Sequence, residues 1–282
     1  MDLSTLNDAC FLNFLKLTHQ LTGITIAPNR HSMLQGRLRK RVVSLSLNSY
    51  EEYYQYVINT PSEKTVFVDL VTTNETYFFR TPRVWDYIEK SFLPNWHNDN
   101  HGKTLMVWSA AASSGEEAHS LAVLCQSFKE KNPGFNYQII GTDVSQEMIG
   151  LCQKGLYTGK SIEVFRKNRP ESFVKYMKSM GNDVYQLTPE ARNRIRFLQH
   201  NLFKPLAINE RFDLVLLRNV LIYFTGPDQE TVLKMASPRL SDQGVLIIGE
   251  SESLSHIQTD FQLSEPLVYK KVPLNKKTHG AA

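Results

Sequence analysis

The first 90 positions carry the apolar spacing of amphipathic helices. Apolar side chains recur there every three or four residues, at Leu3, Leu6, Cys10, Phe14, Leu17 and Leu21. Gly23 is typical of a residue that follows a helix. A second stripe runs through Leu34, Leu38, Val42 and Leu45. Because no strand-like alternation interrupts these stripes, we predict an all-helical N-terminal domain over residues 1–90.

Three further signals mark helix ends in this segment. Ser49, followed by two glutamates, is typical of a helix start. Pro61 limits the helix that begins there. Pro82 suits the first turn of a later helix, because the proline lacks an N–H that the first turn would leave unpaired anyway.

From residue 103 onwards, short apolar runs alternate with amphipathic stretches. The runs predict strands and the stretches predict helices, so the pattern indicates a mostly parallel sheet with both faces covered. The predicted strands are residues 103–109, 137–142, 195–200, 212–218 and 244–250. The predicted helices are residues 116–129, 145–154 and 228–240. We therefore assign an α/β domain to residues 91–282.

Two stretches depart from this alternation. Residues 155–194 are polar and basic with scattered aromatic residues, and we interpret them as an inserted subdomain. Residues 253–272 alternate like strands and predict an antiparallel edge hairpin. The tail after Pro273 is predicted to be disordered.

The composition indicates where in the cell the protein is located and whether it binds a metal. No apolar run approaches the roughly 20 residues that cross a bilayer, and no signal peptide is recognisable. Cys10, Cys125 and Cys152 lie far apart and predict buried thiols, which favours a cytoplasmic location. The eight histidines share no spacing, so no metal is expected.

The net charge of +4 is concentrated in the N-terminal segment. Residues 1–50 hold six Lys/Arg and two Asp, and residues 154–200 are basic as well. Such surfaces suggest an acidic macromolecular partner. For the N-terminal segment, a helix face exposed to solvent explains the basic charge equally well.

A run of small residues follows the first predicted strand. Residues 109–117 read Ser-Ala-Ala-Ala-Ser-Ser-Gly-Glu-Glu. In an open parallel sheet, ligands bind at the carboxyl ends of the strands, and small residues let a ligand approach the backbone. An ordinary strand-to-helix turn would have a similar composition.

Asp143 ends the next strand, where an acidic residue can accept hydrogen bonds from ribose hydroxyls. Its alternative role is to cap the following helix. Glu116 and Glu117 would repel a diphosphate, whereas a cationic nucleoside suits them. This favours S-adenosylmethionine over a nicotinamide dinucleotide.

Two more strand ends face the same crevice. Residues 218–224 read Arg-Asn-Val-Leu-Ile-Tyr-Phe, and Asn201 with Leu202 follows another strand. Tyr223 in such a run could also be a half-buried core tyrosine. Asn201 by itself carries little weight.

Several motifs together resemble one family. Their order and separation are those of the chemotaxis-receptor glutamate methyltransferases of the CheR type: residues 36–41, 74–82, 108–117, 141–144, 201–202 and 218–224. The resemblance covers nearly the whole chain and implies a class I (Rossmann-like) methyltransferase domain, with a small antiparallel β subdomain inserted. One departure is visible, because the family usually has Pro-Tyr where this chain has Ala118-His119.

The resemblance also implies roles for individual residues. Arg80 and Tyr223 would lie nearest the transferred methyl group. Asp143 would hold the ribose, and Arg80 would also lie near the methionine carboxylate. The full cofactor set implied by the family is Asn74, Thr76, Arg80, Glu117, Asp143, Asn201, Leu202, Arg218 and Asn219.

The implied reaction is methyl transfer to glutamate side chains on the cytoplasmic helical region of methyl-accepting chemotaxis receptors. The basic stripe Arg37, Arg39, Lys40 and Arg41 would then dock the acidic receptor rod. A monomer without membrane insertion or nucleic-acid binding is expected. Two alternatives stay open: a class I methyltransferase acting on RNA or a small molecule, and a receptor-binding adaptor without turnover.

Overall fold

The computed structural model describes residues 5–272, so the predicted disorder after Pro273 lies outside the described residues. Helices dominate the part of the chain before residue 100. They are α1 (Asp8–Thr22), α2 (His31–Ser44), α3 (Tyr50–Asn59), α4 (Pro61–Val71), α5 (Pro82–Tyr87) and α6 (Leu93–Asp99). A π-helical turn, Ile88–Phe92, joins the last two.

Several helix ends that the sequence predicts are confirmed. Gly23 follows α1 with φ 75°, a left-handed conformation that glycine adopts without strain. The Ser49 side chain accepts a hydrogen bond from the Glu52 N–H and caps α3. Pro61 does limit α3, but it also opens α4, a helix that the sequence analysis missed.

Residues 72–81, within the predicted helical segment 1–90, form a loop that the sequence analysis did not predict. Phe78 and Phe79 in this loop are buried in the core of the α/β domain. Phe79 (φ 55°) and Thr81 (φ 67°) adopt left-handed conformations that are unfavourable for residues with a Cβ. Burial of the two rings thus decides the path of the chain here.

The main sheet has seven strands in the order β6-β2-β1-β7-β8-β10-β9. The strands are β1 (Thr104–Ser109), β2 (Asn136–Asp143), β6 (Ile195–Gln199), β7 (Phe212–Leu217), β8 (Leu240–Ile248), β9 (Phe261–Glu265) and β10 (Val268–Lys271). The first five pair in parallel, and β10 is antiparallel to both β8 and β9. The parallel sheet and the antiparallel hairpin at its edge are confirmed.

Helices alternate with these strands as predicted. They are α7 (Glu116–Lys131), α8 (Gln146–Lys154) and α12 (Gly226–Ala236). Ser145 caps α8, because its side chain accepts a hydrogen bond from the Met148 N–H. Cys10, Cys125 and Cys152 are all buried as free thiols, which confirms that prediction.

Residues 155–194, which interrupt the alternation of strands and helices, form a small subdomain, as predicted. It contains β3 (Leu156–Tyr157), α9 (Gly159–Asn168), α10 (Pro170–Tyr176), β4 (Met177–Gly181), β5 (Val184–Leu187) and α11 (Pro189–Arg192). The three strands pair antiparallel in the order β3-β5-β4. The subdomain is anchored to the α/β core through Tyr157 and Phe165, whose rings pack against Phe78.

The apolar side chains form two cores. One lies among α1–α4 and ends at Val71, and the other begins at Phe78 and includes α5, α6 and the sheet. Packing therefore favours a domain boundary between these two residues over one at residue 90. No helix within residues 5–272 combines the length and apolar character that a bilayer span needs.

Candidate active site

A cleft of about 520 Å³ lies at the carboxyl ends of the parallel strands. Strand β1 pairs with β2 on one side and β7 on the other, so the chain order reverses there. Ligands of open α/β sheets bind at such a switch point. The loop of residues 72–80 and the connection between α1 and α2 complete the walls of the cleft.

The turn after β1 is tied to the end of β2. The Ser113 N–H donates to the Asp143 carboxylate (2.8 Å), and the Ala112 N–H donates to the Thr142 carbonyl (2.8 Å). Gly115 has φ 101°, and a Cβ there would lie 2.8 Å from the Tyr157 hydroxyl. Glycine is required at this position both for the conformation and for the space.

Asp143 is buried and faces the cleft. Its second oxygen accepts the Ser145 N–H at 3.0 Å, so the carboxylate organises two turns. Burial raises the pKa of Asp143, and the backbone N–H donors oppose that rise. Each carboxylate oxygen can accept more than one hydrogen bond, so turn organisation and ribose binding are compatible roles.

Glu117 and Arg218 pair with each other at the floor of the cleft. Their side chains are separated by 2.8 Å, and Ser109 also donates to Glu117. Arg218 additionally donates to the Arg80 carbonyl at 2.8 Å. Burial raises the pKa of Glu117, and the Arg218 charge opposes this. The Arg218 Nε is buried and has no hydrogen-bond partner within the described residues.

The loop of residues 72–80 presents three of the predicted residues to the cleft: Asn74, Thr76 and Arg80. The Arg80 guanidinium donates to the Glu75 carbonyl (2.8 Å) and lies 5.9 Å from the centre of the Tyr77 ring. The Asn74 carbonyl accepts from the Ser113 hydroxyl (2.9 Å), which joins this loop to the β1 turn.

The predicted residues that follow β6 and β7 do not all reach the cleft. Leu202, Asn219 and Tyr223 line the cleft. Asn201 is not among the lining residues, because its amide donates to the Leu21 carbonyl and its oxygen accepts the Phe203 N–H (2.9 Å each). The side chain of Asn201 connects the two domains, and its role toward the cofactor stays a prediction.

The four residues of the predicted basic stripe have different environments in the structure. Arg39 and Lys40 are exposed, whereas Arg41 forms a two-point ion pair with the buried Glu63. Arg37 donates to the carbonyls at the end of α4 and lines the cleft. Burial lowers the pKa of Arg37, and the nearby Tyr223 opposes this.

Several lining residues were not predicted for the cleft, and His200 and Arg37 are the most informative of them. His200 follows β6 and lies 6.0 Å from the Trp108 ring, and burial lowers its pKa to about 4, so it is neutral at pH 7. Its position beside Asn201 was the available signal. Arg37 was predicted as a docking residue on a helix face, because nothing in the sequence shows that α2 packs over the cleft.

The cleft fits the predicted cofactor. Its volume lies in the usual range for small-molecule sites, and its lining combines apolar side chains with many polar and charged ones. Asp143 lines the cleft and offers a carboxylate for hydroxyl groups. Among the described residues, no group of three or more His, Cys, Asp or Glu side chains could hold a metal ion.

Comparison with known proteins supports the same assignment. Residues 10–72 match the model of the CheR methyltransferase all-alpha domain, and residues 74–269 match that of the CheR methyltransferase S-adenosylmethionine-binding domain. The chain is 30% identical over 258 residues to the chemotaxis protein methyltransferase Cher2 of Pseudomonas putida, covering 90% of this chain and 93% of the relative.

Two other relatives match over similar lengths. A chemotaxis protein methyltransferase of Listeria monocytogenes is 32% identical over 246 residues, which cover 86% of this chain and 90% of that protein. One of Escherichia coli is 29% identical over 270 residues, which cover 94% and 91%. With both family domains present and the cofactor cleft formed between them, this chain belongs to the CheR family of S-adenosylmethionine-dependent methyltransferases.

Proposed function

We propose that this enzyme transfers the methyl group of S-adenosylmethionine to glutamate side chains of methyl-accepting chemotaxis receptors. The glutamates would lie on the cytoplasmic helical region of the receptor, and their methyl esters would serve sensory adaptation. The names of the relatives support the chemotaxis role. The substrate is proposed from the chemistry of the cleft.

The excess of arginine in the cleft carries the proposal. Arg30, Arg37 and Arg80 line it, and none of them pairs with a carboxylate in the part of the chain that the structure describes. Arginine binds carboxylates through its planar fork of donors. An acidic side chain entering this cleft would therefore meet guanidinium groups whose charge is not balanced by a carboxylate of the described residues.

The reaction itself needs no general base. A glutamate carboxylate is ionised at neutral pH and acts as the nucleophile. One carboxylate oxygen forms a bond to the methyl carbon while the bond from that carbon to sulfur breaks. The electron pair stays on sulfur, which becomes neutral, and no proton moves. S-adenosylmethionine supplies the activated methyl group when bound.

The residues of the chain would contribute positioning. Arg80 and Tyr223 line the cleft from opposite loops, and either could hold the glutamate carboxylate in line with the methyl group. Holding two reactants in line removes much of the entropic cost of their encounter. A very strong hydrogen bond would weaken the nucleophile, so orientation is the role that we assign to both side chains.

The proposal is tested by labelling. Receptor-bearing membranes are incubated with the protein and methyl-tritiated S-adenosylmethionine, and the washed product is treated with mild alkali. We expect volatile labelled methanol, because alkali hydrolyses glutamyl methyl esters. Membranes whose receptor carries alanine at the modified glutamates are the control and should take up no label.

The other outcomes separate the remaining alternatives. Label that resists alkali would indicate methylation of nitrogen and contradict the proposal. Label that appears in RNA or in small molecules instead of the receptor would indicate a different substrate class. An adaptor would bind membranes without incorporating label.

A further inference from the structure

Glu252 lies behind the loop that follows β7, and its carboxylate accepts an unusual number of backbone hydrogen bonds. The donors are the N–H groups of Asn219 (2.9 Å), Val220 (2.8 Å), Leu221 (2.8 Å), Ile222 (3.4 Å) and Gly249 (2.6 Å). The residue is buried, with 9% of its surface exposed. Four of the five donors are consecutive along the chain.

Consecutive N–H groups that converge on one point form a nest, which favours an anion. In this protein the anion is internal, since the Glu252 side chain fills the nest. Hydrogen bonds from N–H groups to a carboxylate are stronger than those between neutral groups. The loop is thus held mainly by one side chain that is distant in sequence.

The held segment carries cleft residues. Asn219 lies at its start with φ 57°, a left-handed conformation that asparagine tolerates better than most residues. Tyr223 follows immediately after the last donor, and both side chains line the cleft. Gly249 packs so closely that a Cβ there would lie 2.7 Å from the Glu252 carboxylate and 2.9 Å from the Asn219 nitrogen.

We infer that Glu252 is a positioning residue for methyl transfer: its carboxylate fixes residues 219–222 and thereby sets the place of Tyr223 in the cleft. Glu252 is not among the residues that line the cleft, so it acts through the loop. The inference rests on the methyltransferase activity and on no particular substrate.

The test compares Glu252→Gln, Glu252→Asp and the control Glu265→Gln, an exposed glutamate on β9. Glutamine keeps the size but replaces one acceptor oxygen with a donor that faces N–H groups. Aspartate keeps the charge on a shorter side chain. Amide hydrogen exchange, methylation kinetics and the melting temperature are measured for each variant.

We expect Glu252→Gln to speed exchange at amides 219–222 and to lower kcat at least about tenfold, a typical loss when a buried charged acceptor is removed. The receptor KM should stay within about twofold, because the docking surface is elsewhere. Glu252→Asp should recover part of kcat. Glu265→Gln should behave like the parent protein in all three measurements.

A double-mutant cycle with Tyr223→Phe separates positioning from general stability. If Glu252 acts through Tyr223, the kcat loss from Glu252→Gln will be smaller in the Tyr223→Phe background. Losses that multiply fully would overturn the inference, as would unchanged exchange at amides 219–222 or unchanged kcat in Glu252→Gln.

Failure of the proposed substrate is distinguishable from failure of this inference. If the parent protein methylates no receptor, the proposed function fails, and calorimetry with S-adenosylhomocysteine replaces kcat as the readout. Affinity for that product should then fall in Glu252→Gln, because Asn219 lines the cleft. Unchanged affinity together with unchanged exchange would overturn the inference.

Discussion

At the residue scale, the polar groups that shape the cofactor cleft are mostly bound to other parts of the protein. Asp143 accepts two backbone N–H groups, and Glu117 is paired with Arg218. Side chains fixed in this way keep their geometry before a ligand arrives, which is the condition for efficient catalysis. Arg80 and Tyr223 face the cleft without a carboxylate partner among residues 5–272, so they are the groups to test first.

Replacing either of these two residues should lower turnover by different amounts. Arg80→Ala removes a cation from the cleft, and we expect kcat to fall about 100-fold, as for the loss of a preorganised donor. Tyr223→Phe removes one neutral hydroxyl, and a loss of roughly tenfold is expected. Initial rates of methyl-ester formation measure both, and unchanged rates would exclude these residues from the site.

His119 should make the protein sensitive to acid. It is fully buried, and burial lowers its pKa from 6.5 to about 4. Below pH 6.5 the unfolded chain binds a proton that the folded protein excludes. His119 alone should therefore lower the free energy of unfolding by about 1.4 kcal/mol per pH unit from pH 6.5 down to about 4, and His200 should add a similar decrease.

Denaturant unfolding at pH 7 and pH 5 measures this effect. His119→Gln keeps a polar side chain that cannot be protonated, so its stability should depend less steeply on pH than that of the parent protein. The exposed His256→Gln is the control and should keep the parent slope. Equal slopes in all three proteins would contradict the prediction.

At the element scale, α2 presents two different basic faces. Arg39 and Lys40 point to solvent, while Arg41 holds the buried Glu63, which the Tyr53 hydroxyl also contacts. Docking and stability are therefore separate properties of one helix. Charge reversal at Arg37 or Arg41 would disturb the fold or the cleft as well as any docking surface.

Reversal on the exposed face should affect receptor affinity alone. We expect Lys40→Glu to raise the receptor KM about fivefold with kcat unchanged, and to weaken its salt dependence. Lys16→Glu on the exposed side of α1 is the matched control and should change KM less. Similar effects for both variants would argue against a docking face on α2.

Arg41→Glu should act differently. It leaves Glu63 buried without a cationic partner and adds a second negative charge beside it. Loss of one partner of a buried ion pair costs about 3–5 kcal/mol. Denaturant unfolding should show this loss, and Arg39→Glu should not show it.

The sheet and its helices were predictable because their signals are local. Strand β2 and helix α7 show their periodicity directly, and Ser145 and Gly23 carry the capping preferences of their residue types. Asp143 was predictable as a site residue because the carboxyl ends of parallel strands meet at one edge of the sheet.

The remaining features depend on contacts between distant segments. The loop of residues 72–81 follows the burial of Phe78 and Phe79 in a core that forms later in the chain. Arg37 reaches the cleft only because α2 packs over it, and Glu252 meets amides that lie about 30 residues earlier. No local periodicity encodes such approaches.

At the scale of the whole molecule, the two domains build one cleft. Residues 22–27, which leave α1, line its outer wall, and the Thr25 N–H donates to the Tyr223 carbonyl at 2.8 Å. The Asn201 side chain and the hydrogen bond between His19 and Asp228 join the same surfaces. The free energy of unfolding and the affinity for the cofactor should therefore change together when these contacts between the two domains are altered.

Gly23→Ala tests that coupling. Alanine at φ 75° is strained, and its Cβ would lie 1.9 Å from the Phe203 ring. We expect the free energy of unfolding to fall by about 2 kcal/mol or more and the affinity for S-adenosylhomocysteine to weaken. Gly134→Ala, where a Cβ meets nothing within 4 Å, is the control. Calorimetry that finds lower stability with unchanged affinity would contradict the coupling.

The shared wall has a consequence for protein engineering. Exchanging the helical segment between members of this family, in order to redirect an enzyme to another receptor, would also replace residues 22–27 and Arg37 of the cofactor cleft. Such chimaeras should change product release along with any property that the helical segment confers. Grafts should therefore carry the facing residues 201–203 and 219–224 from the same donor protein.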